Sequence, residues 1–192
     1  MMVKICGITN VEDALAAIEG GAAALGFNFW PRSPRYVKPE AARKIIDRLP
    51  ATIWKAGVFV DETADTIAQT VREAGLDIAQ LHGRETAADF PQGVRVWKAV
   101  RIGASFDAAL LDEYPAEAVL LDGPANGVPF DWTLAAGASK KVIIAGGLDA
   151  GNVRRAIEQA RPWGVDACSC IESAPGKKDH RKMAEFLKAA LT

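Results

Sequence analysis

The sequence predicts a closed (β/α)8 barrel, formed by a minimal single domain over residues 1–192. Eight short apolar runs recur along the chain, and helical patterns separate most of them. A length of 192 residues is enough for one hydrophobic core and short for this barrel, so we expect short loops. A doubly wound open sheet is the main alternative, but it would not readily place the eighth strand beside the first.

The predicted strands are rich in aliphatic and β-branched residues, and Gly or polar residues bound them. Both features are typical of parallel strands that are buried on both faces. The strands are predicted at residues 3–6, 24–27, 54–59, 78–82, 94–100, 119–122, 142–145 and 165–168.

Five helices are predicted between or after these strands, and the segments after strands four and five should be short or irregular. Asn10 is a predicted N-cap, and Asp61 and Asp131 also fit helix caps. Gly75 is the predicted end of the third helix. The helices are predicted at residues 11–20, 39–49, 63–74, 152–160 and 179–191.

Composition limits the class of partner. The formal net charge is -1, which gives no reason to expect a nucleic acid or a membrane surface as partner. The longest apolar runs are of strand length, too short to span a bilayer. The first strand pattern begins at Val3, so we expect no signal peptide, a cytoplasmic protein and reduced thiols.

Two reactive groups stand at predicted strand ends. Cys6 ends the first strand and Asp122 ends the sixth, and reactive groups of a (β/α)8 barrel lie at this face. A thiolate and a carboxyl group there would form a base and acid pair. The alternatives are a small buried thiol at Cys6 and a turn residue at Asp122.

The loops after strands seven and eight fit a phosphate site. Gly146 and Gly147 would let backbone N–H groups approach an anion near a helix start, and Ser169 with the backbone around Cys170 could complete it. An ordinary tight turn is the alternative. Cys168-Ser169-Cys170 ends strand eight, and alternate side chains of a strand share a face, so the two thiols could point together. Two thiols without further His or Cys nearby do not fill a zinc shell, so we expect buried apolar packing and no metal.

Three further side chains have open roles. Arg35, in a long loop after strand two, could bind a carboxylate through its planar fork or could be a solvated surface residue. His82 ends strand four and fits a structural histidine better than a catalyst. His180 is expected on the exposed face of the last helix.

Taken together, several motifs resemble the phosphoribosylanthranilate isomerase family of tryptophan biosynthesis nearly from end to end. Each motif alone is weak, but their combination and order are specific. The motifs are KICGIT at 4–9, GFNF at 26–29, SPRYV at 33–37, QLHG at 80–83, LLD at 120–122, FDW at 130–132, GGL at 146–148 and PGKKD at 175–179.

The resemblance implies a (β/α)8 barrel and a metal-free, cofactor-free Amadori rearrangement of an aminoaldose to an aminoketose. The residue that matches Asp122 is the family's general acid, and the one that matches Cys6 is its general base. The position of Arg35 contacts the anthranilate end of the substrate. Gly146, Gly147, Ser169 and Cys170 fall in the loops that hold the phosphate. The expected partner is a small phosphosugar, and the chain is compatible with a monomer or a homodimer.

Two segments depart from the family pattern. The loop at 123–129 is shorter and less glycine-rich than usual, and Cys170 replaces a glycine, which would strain the backbone if φ were positive there. A phosphosugar-binding barrel with weakened or lost catalysis is therefore an alternative. A related phosphosugar aldose-ketose isomerase is another, although the enzyme of histidine biosynthesis would carry Asp where this chain has Cys6.

Overall fold

The computed structural model describes residues 1–103, 106, 108–125, 127–136 and 138–192. Eight parallel strands pair in chain order, and β8 pairs with β1 to close the barrel, so the predicted fold is confirmed and the open sheet is excluded. The strands are β1 Met2–Ile5, β2 Ala24–Asn28, β3 Trp54–Phe59, β4 Ile78–Leu81, β5 Arg95–Arg101, β6 Ala118–Asp122, β7 Lys141–Ile144 and β8 Gly164–Ala167.

Among the described residues, five α-helices surround the barrel, and short 3-10 turns follow β4, β5 and β6. The sequence predicts short or irregular segments after β4 and β5, and the turn after β6 is an addition to that prediction. A hairpin of β9 Glu172–Ala174 and β10 Lys177–Lys178 precedes the last helix. No helix in the described part of the chain is long and apolar enough to cross a bilayer. The helices are α1 Val11–Glu19, α2 Pro39–Ile46, α3 Ala64–Ala74, α4 Val153–Ala160 and α5 His180–Leu191, and the 3-10 turns are Ala87–Asp89, Ala108–Glu113 and Trp132–Ala135.

Side-chain caps fix where several of these elements begin. The Asn10 and Asp131 side chains accept hydrogen bonds from backbone N–H groups of the first turn, as predicted. The cap predicted at Asp61 is wrong, because Thr63 caps α3 instead. Asp61 has a φ of 50°, and its carboxylate accepts a hydrogen bond from the backbone N–H of Arg84, so it joins two loops.

The barrel interior is filled by the inward-facing residues of the strands, because side chains of a strand alternate between its two faces. The inner core contains small residues beside a few large ones, and a larger outer core lies between strands and helices. The inner core consists of Met2, Ala24, Ala56, Ile78, Trp97, Ala99, Ala118, Leu120, Ile143 and Ala145.

Three tryptophans close the amino end of the barrel. The ring centroids of Trp54, Trp97 and Trp163 lie 5.7–5.9 Å apart pairwise, within the range of favourable aromatic contacts. Trp97 is fully buried at their centre. This apolar end leaves the carboxyl end of the barrel as the place for polar chemistry.

Replacing Trp97 by alanine should lower the free energy of unfolding by about 3–5 kcal/mol, because it opens a large cavity among the other two indoles. Chemical denaturation followed by circular dichroism would measure the change. Leu15→Ala, on the 41% exposed Leu15 of α1, is the control and should shift stability by only about 0.5 kcal/mol. Equal losses of unfolding free energy in the two variants would contradict a stabilising role of the three indoles.

Candidate active site

A cavity of about 570 Å³ opens at the carboxyl end of the barrel. Residues of all eight strands, or of the loops that follow them, line it. All seven side chains or glycines that the sequence analysis places in a site are among these residues: Cys6, Arg35, Asp122, Gly146, Gly147, Ser169 and Cys170.

The seam between β1 and β8 brings four polar side chains together. Lys4 lies in β1, and Cys6 lies two positions later, directly after the end of the strand, so both side chains point into the barrel. Asp166 and Cys168 have the same relation at the end of β8. The two strands pair with Lys4 opposite Asp166, and the Cys6 N–H donates to the carbonyl of Ala167. One cross-strand pair is therefore ionic, and the next one toward the carboxyl end is a pair of thiols.

Lys4 and Asp166 form an ion pair inside the barrel. The distance from Lys4 Nζ to Asp166 Oδ1 is 2.9 Å, and the lysine side chain is fully buried. Although burial opposes it, the carboxylate and the Cys6 thiolate hold the pKa of Lys4 above its ordinary value. Burial, with a smaller contribution from the Cys6 thiolate, raises the pKa of Asp166 to about 7. One buried cation therefore faces two acidic groups.

Cys6 is held in a setting that favours the thiolate. A hydrogen bond from the Cys168 thiol and the positive charge of Lys4 lower the pKa of Cys6 well below its usual range, against the effect of burial. The same contact and burial raise the pKa of Cys168, which keeps its proton. The site thus supplies a base at Cys6 and a hydrogen-bond donor beside it.

Asp122 is oriented by two hydrogen bonds at the opposite part of the rim. Its Oδ1 accepts from the Gly123 N–H at 2.9 Å, and its Oδ2 lies 3.3 Å from Nε2 of His82. The amide nitrogen of Gln80 lies 3.2 Å from His82 Nδ1 and can only donate, so His82 presents its proton at Nε2. His82, predicted as a structural histidine, here touches the candidate acid, and Arg101 Nη2 lies 3.9 Å from the same carboxylate.

Arg35 is a structured part of the wall. Its Nε and Nη2 donate to the buried carboxylate of Glu172, the latter at 2.6 Å, and Lys178 Nζ lies 3.0 Å from the same carboxylate. Among the described residues, none accepts a hydrogen bond from Nη1 of Arg35. That nitrogen is therefore available to a ligand carboxylate.

The glycines after β7 are required by their backbone. Gly146 and Gly147 have φ values of 82° and 69°. A Cβ on Gly146 would lie 2.8 Å from Asp122 Oδ1, and one on Gly147 would lie 2.5 Å from the carbonyl oxygen of Gly127. The loop after β7 therefore lies tightly against the end of β6.

The segment after β8 differs from the sequence prediction in two ways. β8 ends at Ala167, and Ser169–Ile171 forms a 3-10 turn, so strand alternation does not extend to Cys170. Cys168 and Cys170 are partly exposed at the cavity instead of packed in apolar surroundings. Positive φ among described non-glycine residues occurs only at Asp61 and Arg161, so the strain expected at Cys170 is absent.

The short loop after β6 folds back on itself. The N–H of Val128 donates to the carbonyl of Ala125 at 3.0 Å, and Gly127 has a φ of 72°. Gly127 lines the cavity, so this loop reaches the site despite its length. Residue 126 of the same loop lies outside the described residues.

Sequence reasoning missed Lys4, Asp166 and Glu172. A signal was present for the first two, because each stands two residues before a cysteine on the same strand face, and a charged residue inside an apolar strand pattern needs a partner. No comparable local signal marks Glu172, whose partner Arg35 is 137 residues away in sequence. His180 begins α5 as a half-exposed residue and contacts Asp13 at 2.7 Å.

Comparisons with known proteins identify the family of this chain. Residues 3–189 match the family model described as N-(5'-phosphoribosyl)anthranilate (PRA) isomerase. A relative of that name from Solibacter usitatus is 55% identical over 196 residues, covering 99% of this chain and 97% of the relative. One from Pelobacter propionicus is 48% identical, with 98% and 94% covered.

Solved structures give the same result. Phosphoribosyl anthranilate isomerase from Thermus thermophilus superimposes with a TM-score of 0.92 at 37% identity and covers 98% of both chains. A second solved isomerase, in complex with reduced 1-(o-carboxyphenylamino)-1-deoxyribulose 5-phosphate, has a TM-score of 0.90 at 40% identity and covers 99% of this chain and 98% of its own. The resemblance that the motifs indicate is confirmed, and this chain belongs to the N-(5'-phosphoribosyl)anthranilate isomerase family.

Proposed function

We propose that this chain converts N-(5'-phosphoribosyl)anthranilate to 1-(2-carboxyphenylamino)-1-deoxyribulose 5-phosphate, with Cys6 as general base and Asp122 as general acid. The observation that carries the assignment is that both groups line one cavity from well-separated strands, β1 and β6. An acid and a base that act on different atoms of one substrate need this separation. The proposal takes residues 1–192 as one barrel domain.

Asp122 begins the reaction by giving a proton to the ring oxygen of the ribose. The bond between that oxygen and C1′ breaks, and the anthranilate nitrogen stabilises the resulting iminium. The N–H groups of Gly123 and His82 orient the carboxyl group toward the cavity. Because His82 is itself held by Gln80, the acid keeps one direction while the ring opens.

Cys6 then takes the proton from C2′ as a thiolate. The enolamine that forms tautomerises to the ketone of the product. Removing a proton from carbon needs a base that is already deprotonated, and the nearby Lys4 charge favours that state without exposing the thiol to bulk water. Lys4 is therefore a positioning and electrostatic residue in this proposal, and it does not touch the substrate.

The two charged ends of the substrate are assigned to two different sets of groups on the rim. The loops with Gly146 and Gly147 and with Ser169 and Cys170 supply the phosphate site, since tight glycine turns let backbone N–H groups approach an anion. Arg35 Nη1 binds the anthranilate carboxylate. The solved relative that binds the reduced product analogue supports a ligand of this size and charge in this cavity.

The proposed setting is a cytoplasmic enzyme with a small phosphosugar substrate and no nucleic-acid or membrane partner. Either a monomer or a homodimer fits the proposal. Thermotoga maritima supplies a structure of mutually generated monomers of its dimeric isomerase, which is 40% identical to this chain. Both states are thus compatible with a similar barrel.

The test is turnover of phosphoribosylanthranilate generated in situ, followed by the loss of anthranilate-type fluorescence in the presence of a metal chelator. Cys6→Ser and Asp122→Asn should each lower kcat by about 10²–10⁴-fold, because each removes one proton-transfer group. Asp131→Asn, which alters an exposed cap away from the cavity, is the control and should keep the wild-type rate.

Binding separates catalysis from affinity in the same variants. Calorimetric titration with the reduced product analogue should give similar affinities for wild type, Cys6→Ser and Asp122→Asn. Tight binding without turnover by the wild-type protein would indicate the phosphosugar-binding barrel. A wild-type protein that neither binds the analogue nor turns over phosphoribosylanthranilate would point to another phosphosugar substrate.

Arg35→Met should raise KM by about 10–100-fold, the loss expected for one hydrogen bond between charged groups. Steady-state kinetics would measure it. Arg32→Met is the control, because Arg32 lies in the same loop over the Trp30 ring and not on Glu172. An unchanged KM in the Arg35 variant would remove Arg35 from the anthranilate site.

Lys4→Met should slow alkylation of Cys6 by at least about tenfold at a pH below the Cys6 pKa of the wild type, where one pKa unit corresponds to a tenfold change in the thiolate fraction. The alkylation rate of Cys6 should rise with pH, and the midpoint of this rise should lie at a lower pH in the wild type than in the variant, because Lys4 lowers the Cys6 pKa. Iodoacetamide labelling read by mass spectrometry gives both profiles. Lys55→Met is the control, because it also breaks an ion pair on a barrel strand, to Asp77, but lies outside the cavity. Superimposable profiles for wild type and Lys4→Met would contradict the role of Lys4.

A further inference from the structure

We propose that Cys6 and Cys168 form an oxidative modification site, at which a hydroperoxide converts the two thiols to a reversible disulfide. The pairing of β1 with β8 carries the proposal. Ile5 of β1 is paired with Ala167 of β8, so the residues that follow them, Cys6 and Cys168, are the next neighbours across the seam. Neighbouring strands lie about 4.8 Å apart, and this spacing falls within the range of Cα–Cα distances found in disulfides.

The positions of the two sulfur atoms agree with this register. Each residue lies directly after the last residue of its strand, and both line the cavity. A Cβ built on Gly7, the residue after Cys6, would lie 3.1 Å from Cys168 Sγ, so the second thiol lies directly over the end of β1. The two thiols are close enough for each to shift the pKa of the other, downward at Cys6 and upward at Cys168.

The surrounding charges make the two thiols unequal. Cys6 is the thiolate and hence the group that attacks a peroxide, whereas Cys168 holds its proton because the Cys6 charge is beside it. Lys178 Nζ lies 4.0 Å from Cys168 Sγ, and its charge favours a thiolate there. Once Cys6 is oxidised and neutral, the group that kept Cys168 protonated is gone, and Cys168 becomes the second nucleophile.

The chemistry has two balanced steps. The Cys6 thiolate attacks the terminal oxygen of the hydroperoxide and the O–O bond breaks, which leaves Cys6 sulfenic acid and an alkoxide, or hydroxide when the oxidant is hydrogen peroxide. The leaving anion takes a proton from cavity water and departs as the alcohol or as water. Cys168 then gives up its proton and its thiolate attacks the Cys6 sulfur; the S–O bond breaks, and the leaving hydroxide takes up that proton and departs as water. The two thiols together lose two electrons, and the peroxide gains them.

Access to this pair is through the substrate cavity. Cys6 is only 8% exposed, but that exposure is to the cavity, which is large enough for a small hydroperoxide. Because Cys6 is the base in the proposed function, the disulfide would also stop turnover. That consequence rests on the proposed function, whereas the cross-link itself does not.

The experiment treats the full chain with hydrogen peroxide, blocks the remaining thiols with iodoacetamide and maps the products by mass spectrometry without reduction. Of the three free thiols, two should no longer react with iodoacetamide. The peptide that contains Cys6 should be linked to the peptide that contains both Cys168 and Cys170. Cys170→Ser should keep the cross-link, and Cys168→Ser should abolish it. Excess peroxide should carry Cys6 of Cys168→Ser on to the sulfinic acid.

Turnover gives a second readout, with each variant compared with its own untreated rate. Wild type and Cys170→Ser should lose activity by at least about tenfold and regain it with dithiothreitol, whereas Cys168→Ser should not regain it. Three results would overturn the proposal: sulfinic acid at Cys6 without a cross-link in the wild type, a cross-link that Cys170→Ser abolishes, or full recovery of Cys168→Ser. A protein that cross-links but never turns over substrate would refute the proposed function and leave the modification site intact.

Discussion

The ion pair between Lys4 and Asp166 is the interaction on which the rest of the site depends. It joins β1 to β8, the two strands that close the barrel, and it places a fully buried cation within reach of Cys6. An unpaired ammonium group could not remain charged there, because the cost of removing it from water is several kcal/mol. The closure of the barrel and the thiolate state of Cys6, the proposed base, therefore depend on the same ion pair.

The walls of the site are held by a second group of charges. Arg35, Glu172 and Lys178 connect the loop after β2 to the hairpin of β9 and β10, and the Thr9 hydroxyl donates to the carbonyl of Gly176 in the turn of that hairpin. These contacts span most of the chain in sequence. The side of the cavity that holds Cys6 therefore forms only when the N-terminal segment around Thr9 and Arg35 packs against the C-terminal hairpin of β9 and β10.

The fold was predictable because each element carries a local signal. Strand runs, the Asn10 cap and the weak patterns after strands four and five all agree with the structure. The site was predictable only in part, since strand ends placed Cys6 and Asp122 on one face, whereas the partner of Lys4 is 162 residues away. The contact of His82 with Asp122 was not predicted for the same reason, because the two residues are 40 positions apart in sequence. At Asp61, a loop contact to Arg84 outweighed the capping preference of aspartate.

The uneven outer layer has a consequence for how the catalytic pair would come apart. Around β1 and β8 stand the long helices α1 and α5, whereas 3-10 turns of three to six residues follow β4, β5 and β6. Backbone amides under thin cover exchange with solvent through smaller openings than those under packed helices. Asp122, the proposed acid, therefore belongs to the less protected half of the barrel, and Cys6, the proposed base, to the more protected half. Under mild destabilisation, Asp122 would lose its place while the thiolate of Cys6 remained in place.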